Sequence, residues 1–236
     1  PLDAVDVEGM AVIHRGTVTV FAEDSRDYAD FCRHIETSLA GMERMFGSAL
    51  DRKPTIYVYR DLRSTSKRVF GSDTETIQTA MADPVNKILY VTSPFDEGRT
   101  PEYYRSVPVH ELAHLFFSPK DGWLREGFAV YQAGQLGAIP DPDAIRGYAD
   151  FDQKRRSDRE FLEHYNRCGW FAKFLFERKL QSSIPRFIRF SKSSDKAAFL
   201  GSAGMDSLVA EWKTWMRGQN PAGNPAAIVP GPRSGQ

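Results

Sequence analysis

Cysteine is nearly absent from this chain, and that excludes two designs at once. Only Cys32 and Cys168 occur among 236 residues. They lie far apart and form no CxxC pattern, so neither a disulfide framework nor a thiolate zinc site is available. A single bridge and a pair of buried free thiols both remain open. An excess of charge is missing too: 31 Lys and Arg balance 31 Asp and Glu. Nothing in that balance favours nucleic acid or an anionic membrane. The basic cluster Lys154-Arg155-Arg156 sits among Asp150, Asp152 and Asp158 and reads as a solvated face. No apolar run is long enough to span a membrane, and there are no internal repeats. The chain begins at Pro1 and not at Met, which is expected to reflect a trimmed start; a signal peptide could have preceded it.

What is present is the make-up of an ordinary globular core, 41% hydrophobic and 12% aromatic. Met10 to Ala22 reads as two short strands broken at Gly16. Ser25 is a candidate cap for a helix over Arg26–Phe46, whose apolar residues recur at helical spacing until Gly47 stops it. Thr55–Tyr59 looks like a central strand and Lys87–Thr92 like another, while 61–83 is polar and has no clear periodicity. Helices follow over Tyr103–Phe117 and over Trp123–Leu136, the second ended by Gly137. Four more are expected around Arg146–Gln153, Arg159–Leu180, Ile184–Ser191 and Asp206–Met216. Strands in the first hundred residues and helices afterwards make an α+β fold. We divide the chain into an α/β part (1–98), a helical catalytic part (99–216) and a Gly- and Pro-rich tail expected to be disordered (217–236).

The chemistry is concentrated in Val107-Pro108-Val109-His110-Glu111-Leu112-Ala113-His114-Leu115-Phe116-Phe117, which contains HExxH. At about 100° per residue, His110 and His114 fall about 40° apart on one helix face, so both imidazoles can address one ion. Glu111 projects about 100° from His110, beside the metal and not onto it. A carboxylate there can take a proton from a metal-bound water. The flanking residues are apolar on nearly every side, which marks a buried helix. Two histidines and a glutamate buried there without partners would cost several kcal/mol; a cation removes that cost, and a hydrogen-bonded core histidine pair is the alternative.

A zinc site of this type needs a third protein ligand and leaves its fourth position to water. HExxHxxGxxH would require Gly at 117 and His at 120, where this chain has Phe117 and Lys120. The next candidate is Glu126, in the otherwise apolar stretch Trp123-Leu124-Arg125-Glu126-Gly127-Phe128-Ala129-Val130-Tyr131. Gly127 is expected to let this helix approach the HExxH helix closely. A salt bridge from Glu126 to a buried Arg is the competing explanation, and Asp121 and His164 are rival ligands. His14 and His34 have no ligand spacing and are read as structural or exposed. Arg186-Phe187-Ile188-Arg189-Phe190 is read as an ordinary amphipathic helix.

HELAH followed closely by WLREGFAVYQ resembles the gluzincin zinc metallopeptidases, specifically the short bacterial peptidase MA-like proteins with HExxH and a downstream WLxEGxAxY. The strand TIYVY, the segment Tyr165–Leu175 and the ending around Gly204–Lys213 extend the likeness over most of the chain. The resemblance implies a gluzincin-like (zincin) fold, a mixed sheet packed on the active-site helix. It implies one Zn2+ per chain on His110, His114 and Glu126, with Glu111 as catalytic base. It implies a peptide or protein substrate held as an added strand on the sheet edge beside the cleft, here Lys87–Thr92. One departure is the short stretch between His114 and Glu126. A further donor for the oxyanion is expected from a later helix, with Tyr165 first and Tyr131 and His164 as alternatives. The ligand atoms should converge within about 4 Å. A metal-activated water attacking a peptide bond is the expected reaction. Its rivals are hydrolysis of a non-peptide or cell-wall amide and a catalytically silent binding role. An extracytoplasmic bacterial location fits the family.

Overall fold

The computed structural model describes residues 7, 9–71, 79–96, 100–151 and 158–219. It is an α+β protein that divides into two compact units, Pro1–Phe116 and Phe117–Gln236. Among the described residues, no helix is long and apolar enough to cross a membrane.

The first unit is built on a five-stranded mixed sheet. Strands β1 (Ala11–Arg15) and β2 (Val18–Ala22) form the expected hairpin around Gly16. Helix α1 (Ala29–Phe46) carries the chain over to β3 (Thr55–Tyr59), which runs parallel to β2. Helix α2 (Leu62–Phe70) and strand β4 (Ala80–Asp83) occupy the stretch without clear periodicity, and β5 (Ile88–Thr92) completes the sheet. The strand order is β1-β2-β3-β5-β4, so β3 is central, as TIYVY suggested. The period-two alternation of the strands sorts two faces. Val20, Ile56 and Leu89 stand in register and are fully buried. Their neighbours Phe21, Tyr57 and Tyr90 form a stacked aromatic row on the other face, with ring centroids 5.2 and 5.5 Å apart. Tyr59, Tyr90 and Val69 of α2 make a core cluster.

Two expectations change here. Ser25 does not cap α1: the helix starts at Ala29, whose N–H is taken by the Asp27 carboxylate at 2.8 Å. An acceptor two residues away competes better than one four residues off. The sheet edge is β4 and not Lys87–Thr92, because β4 pairs antiparallel with β5 and covers it. The turn that brings β4 back lies at Asp83, whose carboxylate accepts from the N–H groups of Val85 and Asn86 and from the Asn86 side chain. Those bonds hold the Asp83 carboxyl below its ordinary range, the Asn86 N–H contributing most.

Helix α3 (Pro101–Phe116) ends the first unit and packs on α1, β4 and β5. Nearly every residue from Val107 to Leu115 is buried, on all sides of the helix. Pro108 lies inside it and lacks the N–H that would bond the carbonyl of Tyr104. One residue on, the Arg105 carbonyl is 2.9 Å from Nε2 of His34 on α1. His34 thus has a structural task, tying two helices beside the proline.

The second unit is helical. Helix α4 (Gly122–Gln132) is followed by a 3₁₀ turn (Tyr148–Phe151), helix α5 (Asp158–Phe174) with a π-helical extension (Leu175–Lys179), and helices α6 (Ile184–Lys192), α7 (Lys196–Phe199) and α8 (Met205–Gln219). Helix α4 stops before Gly134, not at Gly137. Gly134 takes the left-handed backbone (φ +66°), and the Gln135 N–H closes the end on the Val130 carbonyl. Over the described residues of the helix expected at Arg146–Gln153 there is only the 3₁₀ turn, where Asp150 turns its carboxylate back to the Arg146 N–H. Helix α8 runs three residues into the supposed tail, while 220–236 lie outside the described residues, as does Lys154-Arg155-Arg156.

Aromatic rings fill this unit. Phe117, Phe128 and Phe187 form a triangle with centroids 4.8 to 5.0 Å apart. Phe171 lies against Trp123, Phe151 and Trp212. Phe187 and Phe190 of α6 are fully buried, which supports the amphipathic reading of that helix. Cys32 and Cys168 are both buried free thiols, so no bridge joins them.

Candidate metal centre

The centre starts from helical pitch. His110 and His114 are one turn apart on α3, and their rings meet edge to face with centroids 4.9 Å apart. Glu126 comes from the second turn of α4. One ligand atom from each of His110, His114 and Glu126 can be chosen so that all lie within 4.8 Å of one another. Among the described residues, this is the one such group of three or more His, Cys, Asp or Glu side chains. The bound is wider than the 4 Å expected. It also exceeds the roughly 3.4 Å edge of a tetrahedron with bonds near 2.1 Å.

Burial defines the electrostatics. His110 is 7% exposed, and Glu111, His114 and Glu126 are each 8% exposed. A carboxylate beside two imidazoles, held away from water, is a donor set of hard and borderline ligands that suits a divalent cation. This buried triad can hold a metal ion. Glu111 lies on the same buried stretch of α3.

The position of Glu126 depends on two neighbours in its own sequence. Gly127 does bring α4 close to another helix, but that helix is α5. A Cβ at residue 127 would strike the Cys168 carbonyl, with the carbonyl carbon only 2.7 Å away. Gly169 returns the relation, since a Cβ there would come within 2.5 Å of Val130. Arg125 is the residue that the sequence reading undervalued. Its Nε–H donates to Oε1 of Glu126 at 2.9 Å. Glu126 therefore has the ion pair of the competing explanation, although with a half-exposed and not a buried Arg, and still stands in the group that can hold a metal. The signal was the Arg-Glu adjacency inside WLREGFAVY.

The rival residues have other tasks. Asp121 pairs with Lys196 at 2.9 Å. His164 is buried with Nε2 3.3 Å from Sγ of Cys168, one turn further along α5. The Tyr131 hydroxyl donates to Glu177 at 2.8 Å, and burial together with that carboxylate raises its pKa. Tyr165 is half-buried on α5 with its ring stacked on Phe161 at 4.3 Å. His14 lies on the exposed outer strand β1, within 3.4 Å of the Thr19 hydroxyl. Phe117, which stands where the longer histidine motif needs glycine, is an anchor of the aromatic triangle.

Fold and site together define an α+β protein with a buried His-His-Glu centre able to hold a metal. No family model matches the chain, and no curated protein matches it.

Proposed function

We propose that this protein is a zinc-dependent metallopeptidase of gluzincin type, with the ion on His110, His114 and Glu126. The observation that carries the reading is the meeting of an i, i+4 histidine pair with a carboxylate from the following helix, all three buried. Glu111, one residue beyond the first histidine, supports hydrolysis over simple metal storage, since holding an ion does not need it. When bound, the ion supplies Lewis acidity, acidifying a water and polarising the carbonyl to be attacked. A carboxylate oxygen of Glu111 takes the proton of the attacking water and delivers it to the leaving nitrogen. The low-dielectric surroundings of α3 strengthen each of these charge interactions. Tyr165 is our candidate for the hydroxyl that donates to the developing oxyanion. The edge strand β4 packs on α3 and offers main-chain groups to an extended peptide.

The test joins metal analysis to a digest of a broad peptide library. About one zinc per chain is expected, with cleavage that Glu111→Gln lowers by about 10²–10⁴-fold while zinc content stays the same. A zinc-loaded chain that cuts no peptide would turn the reading toward another amide or a binding role. Cleavage unaltered by Glu111→Gln would remove Glu111 as the base.

A further inference from the structure

Every buried carboxylate that is to serve as a single-oxygen ligand faces a problem of choice. Its two oxygens are equivalent, and rotation about the last side-chain bond is soft. Nothing in a helix backbone decides whether such a group meets an ion through one oxygen or both. In this protein one of the two oxygens is engaged by the neighbouring residue. Arg125 and Glu126 are consecutive on α4, about 100° apart around the helix. Even so, the Arg125 side chain folds back so that its Nε–H donates to Oε1 of Glu126 at 2.9 Å. The Arg125 side chain is 41% exposed against 11% for Glu126, so the guanidinium lies at the rim and its partner inside. With its guanidinium at the rim and open to water, the pair gains little from charge attraction alone. Its directional hydrogen bond is what matters.

We propose that Arg125 is a positioning residue for the metal: by engaging Oε1, it fixes the plane of the Glu126 carboxylate and limits it to one-oxygen ligation. The inference rests on the His110–His114–Glu126 reading. One-oxygen ligation keeps the coordination number at three protein atoms and leaves room for water and substrate, whereas a two-oxygen Glu126 would crowd the centre. The guanidinium suits this task because its N–H groups are planar and always charged. The next residue, Gly127, is where α4 packs closely on α5. The main chain beside residue 126 is therefore held by α5 and its carboxylate by Arg125.

The test uses the full chain with zinc and with cobalt, whose visible spectrum reports coordination number. Arg125→Met keeps the length of the stem and removes the donors. Arg125→Lys keeps a charged N–H donor. We expect Arg125→Met to weaken zinc binding by about 10–100-fold, the usual loss for a partner of a metal ligand. We also expect its cobalt absorption to drop toward the weaker bands of a five-coordinate ion, with Arg125→Lys returning both readouts toward the parent. Zinc affinity within about two-fold of the parent and an unchanged cobalt spectrum in Arg125→Met would overturn the proposal. So would a loss of affinity with the parent's spectrum, which would make Arg125 only an electrostatic neighbour. A parent chain that binds neither ion would instead bring down the metal reading itself, and this inference with it. Far-UV circular dichroism of the variants checks that α4 is intact, which the exposure of Arg125 leads us to expect.

Discussion

Helices α3 and α4 bring their side chains to the centre by opposite means. On α3 two histidines share one face, and helical pitch alone sets their spacing. The helix needs only to be helical and buried, and it stays so with Pro108 inside it. On α4 a single glutamate joins the group, and no repeat within the helix positions it. Its place depends on Gly127 against the Cys168 carbonyl and on Arg125 at its carboxylate. A ligand pair on one helix is robust to its surroundings, whereas a lone ligand is only as well placed as the packing of its helix.

The sharpest way to break this comparison is to delete ligands on each side. His114→Ala should take zinc from about one per chain to near zero after dialysis, read by elemental analysis. Glu126→Ala should lose much of the metal but keep a weak site on the histidine pair. Equal retention by Glu126→Ala and the parent would show that α4 supplies no ligand.

A smaller effect probes the packing of α4. Gly127→Ala should destabilise the fold by about 1–3 kcal/mol through overpacking against α5, read as a lower denaturation midpoint. It should also weaken zinc binding, because Glu126 moves with the helix. Gly122→Ala, on the same helix with nothing within 4 Å of the added Cβ, should leave both unchanged or slightly improved. Equal effects at the two positions would refute the role given to the Gly127 contact.

The smallest change is expected away from both helices and sets the baseline. The Asp83 carboxyl is held below its ordinary value of 3.8 in the folded chain. A depressed folded pKa adds stability above the unfolded value, and that stability is lost as pH falls through the folded one. Asp83→Ala should therefore lower stability by about 0.5–1.5 kcal/mol at neutral pH. The difference from the parent should shrink in acid, and zinc binding at neutral pH should not change. A difference that grows toward low pH would contradict the turn assigned to Asp83.

The long periodic elements were legible in the sequence. The apolar stripe of α1, the strands β3 and β5 and the long helix α5 could be placed because burial writes a pattern into the residues. Helix α2, strand β4 and the short α7 were not legible. Each is four to nine residues long, and in β4 the four residues Ala-Met-Ala-Asp are all only part-buried, which writes no alternation. Missing β4 then gave the sheet the wrong edge. The close approach of Gly127 was read correctly as a need for glycine and wrongly as to its partner, since a glycine announces contact without naming what is touched.

By itself the sequence determined the histidine pair, the glutamate beside it and the burial of the helix that carries them. These follow from local pitch and apolar content, which a linear pattern contains. The sequence named Glu126 ahead of Asp121 and His164, and the tertiary structure brings its carboxylate to that pair. Asp121 was drawn off by Lys196 and His164 lies beside Cys168, and such pairings depend on residues distant in the chain. It alone turned Arg125 toward the ligand carboxylate, because side-chain direction is set by packing and hydrogen bonding and not by residue order.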